Sequence, residues 1–153
     1  MDLILWRHAE ALDAEDGVED LDRALTTRGE RQAARMAAWL NQHLPATTRI
    51  LASPARRTQQ TAAALERKFK TVAALAPGAT VPEMLAAVRW PDAREPVLVV
   101  GHQPTLGLAA AWLLAGVAQP WSVKKGAVWW LRRRDRVGDE QTVLVTVRGP
   151  EQV

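Results

Sequence analysis

The chain has 153 residues, 48% of them hydrophobic and 24% charged, which suits one soluble domain long enough to build a real core. Twenty Lys plus Arg against 17 Asp plus Glu leave a net charge of +3, too slight an excess to imply nucleic acid as a partner. The absence of cysteine excludes disulfides and thiolate metal sites and fits a reducing, cytoplasmic location, and no apolar stretch is long enough to span a membrane.

The first element is a short apolar run, Leu3-Ile4-Leu5-Trp6, that stops abruptly at Arg7 and His8. Such a run reads as a buried strand, and Arg7 also interrupts any signal-peptide pattern, so no leader is expected. In an open α/β sheet, ligands bind in the crevice at the carboxyl ends of the strands. An arginine fork matches phosphate oxygens, and a neutral imidazole can attack phosphorus at physiological pH. An Arg-His pair is weak evidence alone; it gains force only if other phosphate-binding groups reach the same edge.

Residues Glu10 to Asp22 are acidic and aperiodic, with Asp13, Glu15, Asp16, Glu19, Asp20 and Asp22 around Gly17. They read as a surface loop at the mouth of that crevice, either a plain connector or a recognition element. They lack the spacing of a calcium loop, so no metal is expected there. Thr27, three residues before Glu30, forms a capping-box signature opening a helix to about Leu44, with Ala33, Met36, Ala37 and Leu40 on its apolar face.

Ile50-Leu51-Ala52 is a second short strand, and Ser53-Pro54 after it has the form of a helix cap followed by a first-turn proline. The expected helix runs to about Lys68 and aims its unpaired N–H groups into the crevice. Arg56 and Arg57 point about 100° apart on it, so one of the two is expected to reach the anion. From Ala73 to Arg94 regularity is lowest: Pro77-Gly78 marks a turn, and Pro82-Glu83 begins a short helix through Val88. Glu83 is a candidate general acid, weighed against simple placement in a first helical turn.

Pro96 to Val100 is the clearest strand, continuous and β-branched, of the kind covered on both faces. It ends in Gly101-His102-Gln103-Pro104, and an apolar helix follows from Thr105 to Leu114. A second histidine therefore also lies between a strand end and a helix start. Val128 to Leu131 and Thr142 to Val147 form a hairpin through Gly138-Asp139. Between them, Arg132, Arg133, Arg134 and Arg136, interleaved with Asp135, Asp139 and Glu140, read as a charged sheet edge that blocks edge-to-edge pairing. Seven Trp beside one Phe and no Tyr read as compositional bias with core packing.

Together these elements predict a three-layer α/β/α sandwich, a mostly parallel sheet with a C-terminal antiparallel hairpin, as a single domain over residues 1–153. Its strand ends gather Arg7, His8, His102 and one of Arg56 or Arg57. There is no Walker loop, dinucleotide fingerprint or nucleophile elbow. Two arginines, two histidines and helix N–H groups suit a phosphoryl group without a metal or cofactor, because phosphoryl transfer needs mainly positioning and charge stabilisation.

Arg7-His8-Ala9-Glu10 resembles the Arg-His-Gly signature of the histidine phosphatase superfamily, the phosphoglycerate-mutase-like fold. Ser53-Pro54-Ala55-Arg56-Arg57-Thr58-Gln59-Gln60-Thr61 is similar to its Ser-Pro-x-x-Arg-x-x-Gln-Thr segment, which selects Arg57 over Arg56, and Gly101-His102 is similar to its second-histidine motif. The short length, Leu25 to Gly29, Leu75 to Ala79 and Lys125-Gly126-Ala127 most resemble the SixA group of phosphohistidine phosphatases. The resemblance implies that His8 accepts the phosphoryl group and that water later releases it, with Arg7, Arg57, His102 and Ser53 as phosphate-binding residues. It also implies a phosphohistidine-bearing protein as substrate, such as a histidine phosphotransfer domain, with no nucleic acid or membrane involved.

Two positions depart from the pattern. Ala9 stands where glycine is usual, and no convincing acidic proton donor lies between the Arg57 and His102 motifs. An alkoxide leaving group needs such a proton more than an imidazole does, so phosphohistidine is the favoured substrate. The alternatives are a small-molecule phosphatase of the same superfamily and a catalytically silent phosphoprotein-binding module. A mutase and a nucleic-acid binder rank lower.

Overall fold

A computed structural model of the chain describes residues 1–136 and 138–153, the side chains of Arg136 and Asp139 excepted. Among these residues six strands form one sheet: β1 (Asp2–Arg7), β2 (Arg49–Ala52), β3 (Lys70–Thr71), β4 (Val97–Gly101), β5 (Val128–Arg136) and β6 (Asp139–Arg148). Their spatial order is β3-β2-β4-β1-β5-β6. β1, β2, β3 and β4 are mutually parallel, while β5 runs antiparallel to β1 and pairs with β6 as a hairpin. The predicted α/β sandwich with a terminal hairpin is the observed fold.

The helices are α1 (Thr27–His43), α2 (Arg56–Ala63), α3 (Val81–Val88) and α4 (Thr105–Ala115). Side chains alternate across the sheet with the strand period of two. Ile4 and Trp6 of β1, with Leu98 and Val100 of β4, pack beside Met36 and Leu40 of α1. Leu3, Leu5, Val97 and Val99 point the other way, onto Met84 of α3 and Leu106 and Ala109 of α4. Both central strands are thus covered on both faces, which is why they read as continuous apolar runs.

Several boundaries shift from their expected places. Thr26, not Thr27, caps α1 by accepting from the Gly29 N–H at 2.9 Å, so glycine and not Glu30 holds the third helical position. The Thr26 hydroxyl instead donates to the Glu10 carboxylate at 2.9 Å, a long-range partner that local spacing does not reveal. α2 ends at Ala63 and not near Lys68, and the two-residue β3 that follows was too short to read. Ser53 is not its cap: the helix begins at Arg56 with Ala55 in the cap position and no side-chain bond there.

In the hairpin, pairing extends from Val128↔Arg148 to Arg136↔Asp139, well past the predicted strand ends. Arg132 does not lie on an edge. It faces Asp2 of β1, donating from Nε and Nη2 to the two carboxylate oxygens at 2.7 and 2.9 Å. Arg133 pairs with Asp135 and Glu140. The expected roles of the Arg136 and Asp139 side chains lie outside the described residues. Trp6 and Trp130 are buried as core residues, whereas Trp112 is half exposed.

Glycine at position 29 lets α1 lie against the segment that follows β1. A Cβ there would run into the Glu10 carbonyl oxygen, a backbone atom that cannot rotate away. Gly29→Ala is expected to cost about 1–3 kcal/mol through overpacking. The check is the midpoint of urea unfolding, and an unchanged midpoint would show that α1 can retreat without loss.

Candidate active site

The parallel register pairs Arg7 with Gly101, so the next residue on each strand, His8 and His102, emerges at the same edge. The His8 N–H donates to the Gly101 carbonyl at 3.2 Å and holds the two strand ends together. The imidazole rings lie with centroids 5.4 Å apart at an interplanar angle of 55°. Both side chains are buried. Behind them the indole N–H of Trp6 donates to the Gly126 carbonyl at 3.0 Å, and the Gly126 N–H lies 3.1 Å from the Arg7 and 3.0 Å from the His8 carbonyl oxygen. Gly126 takes a φ of +75° to make this turn, a conformation that glycine enters without steric cost.

Hydrogen bonds fix the tautomers. His8 Nδ1 lies 2.7 Å from the Ala9 carbonyl, which only accepts, so Nδ1 carries the proton and the Nε2 lone pair is free. Ala9 adopts no positive φ, so its methyl is tolerated where glycine was expected. His102 Nε2 lies 2.7 Å from the Ser53 hydroxyl. Ser53 Oγ accepts from the Ala55 N–H at 3.2 Å, and among the described residues its own proton has no acceptor other than His102 Nε2. That leaves His102 Nδ1 as an N–H, buried and without a partner.

Burial first, and then the charges of Arg57, Arg7 and Lys125, depress the His8 pKa to about 4, outweighing the bond to Ala9. For His102, burial and then Arg57 depress it to about 3. Both rings are neutral at pH 7.

The arginines close the group. Of the two candidates on α2, Arg57 is buried and Arg56 is exposed. Arg7 donates from Nη1 to the Val123 carbonyl at 3.0 Å. Burial, and then the charge of Arg57, lower the Arg7 pKa, so the two guanidinium groups feel each other. The Nε atoms of both are buried without a partner. Like charges and unpaired N–H groups converging in a buried place are unfavourable unless an anion joins them. Thr61 ties the parts together, accepting from the Ala9 N–H at 3.2 Å and donating to the Arg57 carbonyl at 2.7 Å.

Three residues took other places than expected or went unread. Ser53 is fully buried and bonded to His102, so its hydroxyl supports that ring instead of capping a helix. Glu83 is exposed and pairs with Thr80, the cap of α3, whose hydroxyl donates to its carboxylate at 2.8 Å and accepts its N–H at 3.2 Å. Asp20, from the acidic loop, accepts from Arg57 Nη2 at 3.2 Å through its carboxylate and from Nη1 at 2.8 Å through its carbonyl. The sequence marked the loop as lying near the site, but nothing in it singled out one aspartate among six acids. Among the described residues no group of three or more His, Asp or Glu side chains is arranged to hold a metal ion. A groove of about 390 Å³ lies between the segment before β5 and the C-terminal turn, with Lys124, Lys125, Trp129 and Pro150 in its walls and neither histidine lining it.

Residues 3–83 match the model of the histidine phosphatase superfamily, branch 1. The chain belongs to that superfamily. An uncharacterized protein of Mycobacterium tuberculosis is 38% identical to it over 117 residues, which are 73% of this chain and 71% of the relative. An uncharacterized protein of Picosynechococcus is 40% identical over 116 residues, 70% of this chain and 69% of that one. Among solved structures, a chain from Nakamurella multipartitia assigned as phosphohistidine phosphatase SixA superposes with a TM-score of 0.80 at 33% identity, covering 97% of this chain and 95% of that one. The protein histidine phosphatase SixA complexed with tungstate gives 0.76 at 26% identity, covering 98% and 97%.

The depressed histidines of this superfamily member make a directional statement about pH. In the unfolded chain each returns to its ordinary value of 6.5, so between that value and about 4 the unfolded state binds more protons. The stability gained by keeping the rings neutral is complete above pH 6.5 and is lost as pH falls through about 4. Ring-nitrogen NMR of the folded protein is expected to show His8 and His102 neutral from pH 5 upwards, with stability to urea falling below pH 6.5. Titration of either ring in the folded protein near 6.5 would contradict the assigned burial and charge effects.

Proposed function

We propose that this superfamily member is a phosphohistidine phosphatase in which His8 is the nucleophile and Arg7, Arg57 and His102 hold the phosphoryl oxygens. The observation carrying the reading is a neutral imidazole with a free Nε2, facing a second histidine, with half-buried Arg7 and buried Arg57 each keeping a buried, unpaired Nε–H. The likeness to SixA structures, one of them holding tungstate, supports the substrate class.

In the first step His8 Nε2 attacks phosphorus and the nitrogen–phosphorus bond to the donor imidazole breaks. The donor ring, carrying a proton on its other nitrogen, leaves neutral. The positive charge now on the phosphorylated His8 ring is stabilised through Nδ1–H and the Ala9 carbonyl. Water then attacks phosphorus, its proton passes to solvent with the product, and His8 returns to its neutral form. Arg7, Arg57 and the His102 Nδ1–H stabilise the charge spread over the oxygens in both steps. Exchange between two imidazoles is nearly thermoneutral and needs no strong acid, which agrees with Glu83 being spent on its helix cap. The second reading is a small-molecule phosphatase using the same His8 chemistry; Lys125, whose charge acts on His8, is the observation in its favour.

Intact-mass analysis at neutral pH, after mixing with a phosphohistidine protein, tests the proposal. A transient phosphoryl adduct is expected on the native chain and not on His8→Ala, with loss of phosphate from the donor. Arg57→Ala is expected to slow adduct formation by about 100-fold or more, the scale of losing one positioned charge. If the donor keeps its phosphate while an aryl phosphate still labels His8, the small-molecule reading replaces this one. If neither labels His8, the domain is a silent binding module.

A further inference from the structure

Arg57 is the buried partner in its ion pair, with 4% of its side chain exposed, while the Asp20 carboxylate that meets it is 57% exposed. Asp20 therefore reaches down from solvent onto a guanidinium that belongs to the site. The loop carrying it has almost no other hold on the protein. Every residue from Leu12 to Asp22 is exposed, and the short 3-10 turn over Asp20–Asp22 contributes nothing to the core. Its base is fixed: Ala11 bridges to Leu25, the Leu12 N–H donates to the Ala24 carbonyl at 2.8 Å, and the Leu25 N–H donates to Gln60 at 2.7 Å. Inside that base the loop is held by Arg23, which donates to Asp20 at 3.0 Å and to the Leu12 carbonyl at 2.6 Å, and by Arg57. The part of the loop inside that base is tied down by side-chain bonds from Arg23 and Arg57, whose release leaves the bonds of α2 and the sheet intact.

A carboxylate and a phosphoryl group offer a guanidinium the same planar pair of oxygens. Asp20 holds the Nη1 and Nη2 side of Arg57, and a phosphoryl group gripping the unpaired Nε and the other Nη2 N–H would stand close to that carboxylate, where two anions repel. We propose that Asp20 is an internal competitor for the phosphoryl group, holding Arg57 in the free protein and swinging away when a phosphoryl oxygen takes its place. This rests on the proposed role of Arg57 as a phosphate ligand. The chemistry concerned is any phosphoryl anion, and its first target is inorganic phosphate, the product of the proposed reaction. A latch closed for about nine-tenths of the time weakens apparent binding about tenfold, since only the open fraction is competent. A protein substrate has contacts outside the phosphoryl group with which to offset that loss. Free phosphate has none, so the latch protects the site from its own product.

The test compares the native chain with Asp20→Ala, Asp20→Asn and Arg57→Ala, by calorimetric titration with inorganic phosphate and by steady-state hydrolysis of an aryl phosphate. Asp20→Ala is expected to bind phosphate about tenfold more tightly and to lower KM by a similar factor with kcat little changed. Asp20→Asn, which keeps an acceptor but loses the charge, is expected to fall between. Equal or weaker phosphate binding by Asp20→Ala, while Arg57→Ala loses binding, overturns the latch and makes Asp20 a support for Arg57. A fall in kcat at constant KM overturns it in favour of a role in the chemistry. Unchanged phosphate binding by Arg57→Ala overturns the reading of the site on which the latch stands.

Discussion

The pairing of two parallel strands in one register underlies everything else at this sheet edge. β1 and β4 lie side by side with Arg7 opposite Gly101. A slip of one residue would turn every side chain of one strand to the opposite face, sending Leu3 and Leu5 where Ile4 and Trp6 now pack. Burial on both faces therefore locks the register, and the register delivers His8 and His102 together. The site's geometry is a by-product of core packing far below it, which is a rigid way to position two rings.

Charge completes what the register begins. Arg7, half-buried, and Arg57, buried, are cations beside the histidines, and each pushes the nearby imidazoles towards their neutral forms. A nucleophile needs a free lone pair, so the groups suited to bind an anion also prepare the ring suited to attack it. Ser53 and the Ala9 carbonyl then settle which nitrogen carries the proton on each ring. The Asp20 carboxylate answers the excess of positive charge from the outside, through a loop that has little other attachment.

The secondary structure around the site follows the same economy. Polar side chains near the site are used over long range: Thr26, which also caps α1, reaches Glu10, Ser53 reaches His102, and Gln60 reaches Leu25. Each ties the segment after β1, or the strand end beside it, to an element distant in sequence. Glu83 shows the reverse, a residue with catalytic chemistry occupied by a local cap.

The alternation of apolar runs with helical periods, and the placing of Arg7, His8 and His102 at strand ends, were written in the residues themselves, because burial on two faces demands continuous apolar strands. So was the family, through three motifs in order. The choice of Arg57 over Arg56 came from the resemblance and is matched by burial, which depends on how α2 is rolled against the sheet. The cap at Thr26, the hydroxyl of Ser53 on His102 and the carboxylate of Asp20 on Arg57 were decided only by tertiary structure. Ser, Thr and Asp satisfy a local backbone group or a distant one with equal chemistry, and only the folded chain shows which of the two is within reach.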